Sequence, residues 1–210
     1  YMEKFPLFDD VGSFPLPDYV DESAFRRFYW TAYDALVKGT NIHDHRGIYN
    51  YVIHPILQSF QLKFSAGVEV VNFPQHMDMY SQFLRPMEIY EAEPDRIDPK
   101  KALILEMEIL KKHAKEYYER TGNPLKLKAC VTGPIELYLK KHDFTVYLDM
   151  AMNVAESVNY FLKSAIFDLK YLKTVAVSID EPSFGYVDLA NVEADDLIKI
   201  FDRSLSQVNA

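Results

Sequence analysis

The chain has 210 residues, a formal net charge of −8, 49% hydrophobic and 26% charged residues. That is an ordinary globular balance with enough length for one sizeable core, and it argues against disorder and against a membrane protein. The acidic balance also argues against nucleic acid as a main partner, because phosphate binding needs clustered Lys and Arg.

The longest basic cluster, Lys111-Lys112, alternates with Glu106, Glu108 and Glu116 and reads as a solvated helix face. No apolar run approaches the roughly 20 residues a spanning helix needs. The N-terminal YMEKFPLFDD lacks a basic region followed by an apolar run, so a cytoplasmic protein of one domain over 1–210 is expected. Cys130 is the only cysteine, which leaves no disulfide framework and no Cys-rich metal site.

In chain order, DDVGSFPLP (9–17) precedes a helical stretch from about Asp21 to Lys38, with Asp21 or Ser23 as cap and Gly39 as stop. Residues 45–66 carry Ile48, Val52, Ile56, Phe60 and Phe64, each four apart, the stripe of a second packed helix that Pro55 is expected to kink. GVEVVNFP (67–74) reads as a strand and MEIYEAEP (87–94) as a weaker one. Asp98-Pro99 opens a helix over 99–121, closed by Gly122. LKACVTGP (127–134) is a strand, helices cover 135–141 and 144–172, and TVAVSIDEP (174–182) is another strand. A last helix is capped near Asn191.

Strands alternate with helices, and those at 127–131 and 174–179 are apolar on both faces, as buried parallel strands are. The fold class is therefore α/β. Strand candidates near residues 10, 70, 89, 129 and 177 make about five, short of the eight that a (β/α) barrel of about 250 residues holds. Gly12-Ser13, Asn72, Thr132-Gly133-Pro134 and Asp180-Glu181-Pro182 all fall at C-terminal strand ends, where both kinds of α/β fold place ligands. Singly, each reads as turn chemistry. Together, they point to a pocket mouth.

The succession VGSFP (11–15), GVEVVNFPQHMDMYSQF (67–83), VTGPIELYL (131–139) and SIDEPSF (178–184) resembles the catalytic barrel of cobalamin-independent methionine synthases. These lie within the superfamily shared with uroporphyrinogen decarboxylase. The resemblance implies an incomplete (β/α)8 TIM-barrel type of fold and a methyltransferase acting on the thiol of homocysteine.

By position, Gly12 and Ser13 match residues that hold the substrate carboxylate, and Asp180 matches the carboxylate that grips its ammonium. A buried Asp needs such a cation to stay ionised. Glu181 reads as a support of the strand end, and His76 as a candidate donor to the substrate. The family's substrate-binding Glu falls near Phe73, its folate-stacking aromatic at Lys140 and its pterin-contacting acid at Tyr186. The methyl donor is therefore open among a folate, a pterin and a corrinoid protein.

Family enzymes activate the thiol on zinc, yet the ligands implied by the resemblance are absent: no His or Cys follows residue 184. On this reading the chain alone holds no cofactor. His43-Asp44-His45 reads as a solvated loop or cap, Cys130 as a core residue, and Tyr80 and Tyr186 as candidates to face the pocket. Two other readings stand: a noncatalytic partial barrel, and a decarboxylase, which would want its arginines gathered. Open strand edges predict self-association or a complementary subunit.

Overall fold

The computed structural model describes residues 8–88 and 93–209. Its architecture is mixed α/β, as the alternation of elements predicts. One sheet has the order β1-β2-β4-β3, formed by β1 (Val71–Asn72), β2 (Leu125–Thr132), β3 (Asp168–Leu169) and β4 (Leu172–Asp180). β1 runs parallel to β2, with Val71 opposite Leu127. β2 and β4 also run the same way: Leu125 N–H donates to the Tyr171 carbonyl at their start and Gly133 N–H to that of Asp180 at their end. Parallel bridges from Asp9 to Val70 and from Ser13 to Gln75 lay the 9–13 run beside β1.

The weaker strand expected over 87–94 is corrected where it is described: Met87 and Glu88 close helix α4 (Ser81–Glu88). Asp78 starts that helix by accepting the Ser81 N–H at 2.7 Å, and Phe83, Leu84 and Met87 bury one of its faces. Residues 89–92 of the expected strand lie outside the described residues. β4 is not covered on both faces either, since Val175 is 38% exposed and Val177 to Ile179 are half-buried. On its far side β3 pairs antiparallel with Leu172 and Lys173 alone.

The chain forms two compact units, the first comprising Tyr1–Met77, Ile104–Ala129 and Phe167–Ala176, and the second the remainder. In the first, α1 (Glu22–Val37) starts at Asp21, whose carboxylate accepts the Ala24 N–H, and buries Phe25, Tyr29 and Tyr33. The stripe over 45–66 forms α2 (Arg46–Ile48), a π turn Tyr49–Ile53 and α3 (His54–Ser65). Pro55 has no N–H to continue the α ladder, and the chain answers with a wider turn where the sequence predicts a kink. Ile48, Val52, Ile56 and Phe60 are buried as their spacing requires. α5 (Leu105–Thr121) begins later than expected, because Asp98-Pro99 opens only the 3-10 turn Pro99–Lys101. It ends at Gly122, which takes the left-handed φ of 73° that glycine adopts without strain.

In the second unit, α6 (Pro134–Lys141), α7 (Leu148–Ser164) and α8 (Ala194–Leu205) pack together. Phe161 on α7 meets Phe83 edge to face at 5.0 Å. The Asn159 amide donates to the carbonyls of Ser204 and Ser206. The helix expected to reach 172 stops at Ser164, and β3 takes up part of the remainder. Thr174 N–H donates to the Phe167 carbonyl and the Thr174 hydroxyl accepts the Phe167 N–H, folding the segment back on itself. Asn191 does not cap α8, since its side chain accepts the Val146 N–H at 2.6 Å and the helix starts after Glu193. Among the described residues no helix is long and apolar enough to cross a membrane.

Candidate functional site

In the first unit, the segment 10–14 is welded to the end of β1. Gln75 N–H donates to the Gly12 carbonyl at 2.8 Å, and Phe14 N–H donates back to Gln75. A buried ion pair underlies this: Lys63 Nζ lies 2.6 Å from Asp10 Oδ2 and donates to the carbonyls of Val11 (2.9 Å) and Asn72 (3.3 Å). The other Asp10 oxygen accepts the Asn72 N–H at 2.6 Å. Gly12 is buried within this arrangement and Ser13 is exposed.

His76 joins the same group. Its Nδ1 donates to the Phe14 carbonyl at 2.9 Å, and its ring stands edge-on to Phe14 and Phe25. Burial holds the imidazole below its ordinary pKa and the Lys63 ammonium adds to this, against the carbonyls of Phe14 and Pro55. The ring is thus neutral at neutral pH with its proton on Nδ1, so Nε2 offers a lone pair. That nitrogen is buried without a hydrogen bond, as are the Ser59 hydroxyl and both amide atoms of Asn72, whose residue is 1% exposed. Buried polar atoms of this kind call for water or a ligand.

The second unit holds the other sequence-derived residues. Glu181 reaches from the end of β4 to the first turn of α6, where its two carboxylate oxygens accept the N–H groups of Ile135 and Glu136, both at 2.8 Å. Glu181 therefore caps a helix, which is the support role its position suggests. A Cβ at Gly133 would overlap the Glu181 carboxyl group, so the glycine is required by close approach. Glu136, itself buried, accepts hydrogen bonds from Tyr80 and Ser183. Burial pushes Glu181 up to about 7 against the pull of the two amides, and the Glu136 charge adds to the rise.

Asp180 differs from the buried acid that the substrate argument expects. It is exposed, and its carboxylate accepts only the Ser178 hydroxyl at 3.3 Å. Lys140, at the position of the family's stacking aromatic, lies over the Tyr80 ring at 4.5 Å. The side chain of Tyr186 lies outside the described residues. Cys130 is buried in β2, and His45 caps α2 by accepting the Ile48 N–H.

The structure thus brings Gly12, Ser13 and His76 together in one unit and Asp180 and Glu181 together in the other. Sequence reading misses Asp10, Ser59 and Lys63. The available signal is a charge on a buried stripe: Pro55, Ser59 and Lys63 are four apart on α3 and all buried. Among the described residues, no group of three or more His, Cys, Asp or Glu is placed to hold a metal ion, so these residues do not fit the zinc that the resemblance implies. No family model matches the chain, and no curated protein or solved structure is significantly similar to it.

Gly133→Ala is expected to push Glu181 off the helix and cost about 1–3 kcal/mol, as measured by denaturant unfolding. The cost should largely vanish in a Glu181→Ala background, because the two changes remove the same contact. Glu181 also makes stability depend on pH. Its folded pKa of about 7 lies above its ordinary value of 4.5, so the native state binds the extra proton. Stability should then fall as pH rises from 4.5 through 7, by up to roughly 3 kcal/mol. Glu181→Gln should flatten that decline in urea midpoints taken across the window.

Proposed function

We propose that this chain is the substrate-facing part of a methionine-synthase-like (β/α) barrel and that it orients the thiol amino acid homocysteine for methyl transfer. What carries the reading is that Gly133 and Asp180-Glu181 stand at the C-terminal ends of the parallel strands β2 and β4, where such folds place ligands, while Ser13 makes an isolated parallel bridge to Gln75 just past β1. Asp180 would take the ammonium group of the substrate.

The local physics supports each half separately. The 10–14 segment is held by the Asp10–Lys63 pair before any ligand arrives, which lowers the ordering cost of binding. Asp180 is an exposed carboxylate with no cation within ion-pair distance among the described residues, open to an ammonium. The thiol-activating zinc finds no donor set among the described residues, so in this proposal it comes from residues other than these. The methyl donor is a folate, a pterin or a methylated corrinoid protein; with a lysine at position 140, the corrinoid protein is the preferred one.

Calorimetric titration with homocysteine tests the reading. Asp180→Asn should weaken binding by about tenfold, the effect of one charge-assisted contact. Unchanged affinity removes Asp180 from the site.

A second reading, that of a noncatalytic partial barrel working with another subunit, is favoured by one observation. β3 covers the outer edge of β4 at Leu172 and Lys173, the Thr174 N–H bonds the Phe167 carbonyl, and Val175 next along that strand is 38% exposed. Such an edge takes a strand from another copy. Sedimentation at tens of micromolar should show a dimer that Val175→Lys dissociates; a wild-type monomer rules this reading out.

A further inference from the structure

A cavity in the first unit belongs to none of this chemistry. It has a volume of about 210 Å³ and lies among the π turn, α3, α5 and the loop around residue 43. Its floor is apolar: Ile53 and Ile109 are each 1% exposed, and Leu57 is half-buried. Its walls are polar, built from His43, Tyr49, His113 and the α5 pair Lys112 and Glu116.

These polar groups do not satisfy one another. Among the described residues no hydrogen bond or ion pair joins the side chains of His43, Lys112, His113 or Glu116 to a partner, although His113 stands edge-on to Phe60 at 6.0 Å. Lys112 and Glu116 are four apart on one helix, but in the order that pairs less well along a helix. They leave an unpaired positive and an unpaired negative charge on the wall of an apolar cavity. Both act on His43, which the ammonium lowers and the carboxylate raises, so both charges stand close to that ring. Burial holds His43 and His113 below the ordinary imidazole pKa, so each presents one N–H and one lone pair at neutral pH.

An apolar floor beneath one cation and one anion is the complement of an apolar molecule carrying one charge of each sign. Neither charge alone would select such a ligand. We propose that this cavity binds an α-amino acid with an aliphatic side chain, its carboxylate on Lys112, its ammonium on Glu116 and its side chain against Ile53, Leu57 and Ile109. The histidines and Tyr49 complete the hydrogen bonding around the charged end. The proposal is independent of the homocysteine reading, since it uses none of Gly12, Ser13, His76 or Asp180.

L-leucine is the probe, titrated into the full chain by calorimetry together with isopentylamine, which lacks the carboxylate, and isocaproate, which lacks the ammonium. Leucine should saturate one site and bind about tenfold more tightly than either analogue. Lys112→Gln should weaken leucine by about tenfold and leave isopentylamine unchanged. Glu116→Gln should weaken leucine similarly and leave isocaproate unchanged. Both residues are exposed, so the variants should keep the wild-type unfolding midpoint, and leucine affinity should be the same in Asp180→Asn as in wild type. The proposal is overturned by absence of saturable leucine binding up to about 10 mM, by equal affinity in both charge variants and wild type, or by loss of leucine binding in Asp180→Asn.

Discussion

Glu181 lies at the end of a strand, and its two oxygens hold the first free amides of the next helix in space. The amides at a helix start need acceptors, and the partial positive charge there favours a carboxylate. The bond works only because position 133 has no Cβ. Gly133 also gives its own N–H to the Asp180 carbonyl at 2.8 Å, so strand end and helix start are tied by main chain and side chain together. T-G-P and I-D-E-P, far apart in sequence, are therefore two halves of one joint. Glu136 enters the same joint and is satisfied by Tyr80 and Ser183. Burial, with the charge of the neighbouring Glu136 adding a smaller share, is why Glu181 keeps its proton to unusually high pH.

The first unit solves a similar problem with an ion pair. Removing Lys63 and Asp10 from water costs several kcal/mol per ion before their attraction offsets it. A buried pair of this kind is a poor source of stability and a good way to fix one arrangement. Here it fixes the carbonyls of Val11 and Asn72 and the Asn72 N–H around one ammonium and one carboxylate. The helix stripe that carries Lys63 also carries Ser59, whose hydroxyl is left without a partner.

Much of the architecture is legible in the sequence because it depends on local signals. The four-residue spacing of Ile48, Val52, Ile56 and Phe60 marks the helix they form, and Gly122 marks the end of α5. The strand ends at Thr132 and Asp180 are visible as polar residues closing apolar runs, whereas the strand expected near residue 10 forms only isolated bridges at Asp9 and Ser13. The errors have one cause, which is that a distant partner overrides a local preference. Thr174 reaches back to Phe167 and turns an apparent helix into β3. Asn191 serves the Val146 amide instead of α8. Pro55, read as a kink, is absorbed by a π turn. Of the candidate site, the resemblance nominates Gly12, Ser13, Asp180 and, as a support, Glu181, and place in the chain nominates His76. Lys63 and Asp10 are not legible, because each looks like an ordinary surface charge until the fold buries Lys63 and half-buries Asp10.

The distribution of satisfied and unsatisfied polar groups separates scaffold from chemistry. Glu181, Glu136, Lys63 and Asp10 have their partners within the protein, and their chemistry is spent on shape. Asp180 keeps a carboxylate in water, Asn72 and His76 keep buried atoms unbonded, and Lys112 and Glu116 leave opposite charges apart over an apolar floor. Burying an unbonded polar atom costs about 1–3 kcal/mol, and folding alone gives no reason to retain several in one unit. A ligand or bound water that supplies the missing bonds removes that cost on binding, so the unfilled polar positions are where affinity can be generated. By this criterion the adjacent acids of the I-D-E-P run have opposite fates: Glu181 is committed to the fold, and Asp180 keeps its carboxylate in solvent.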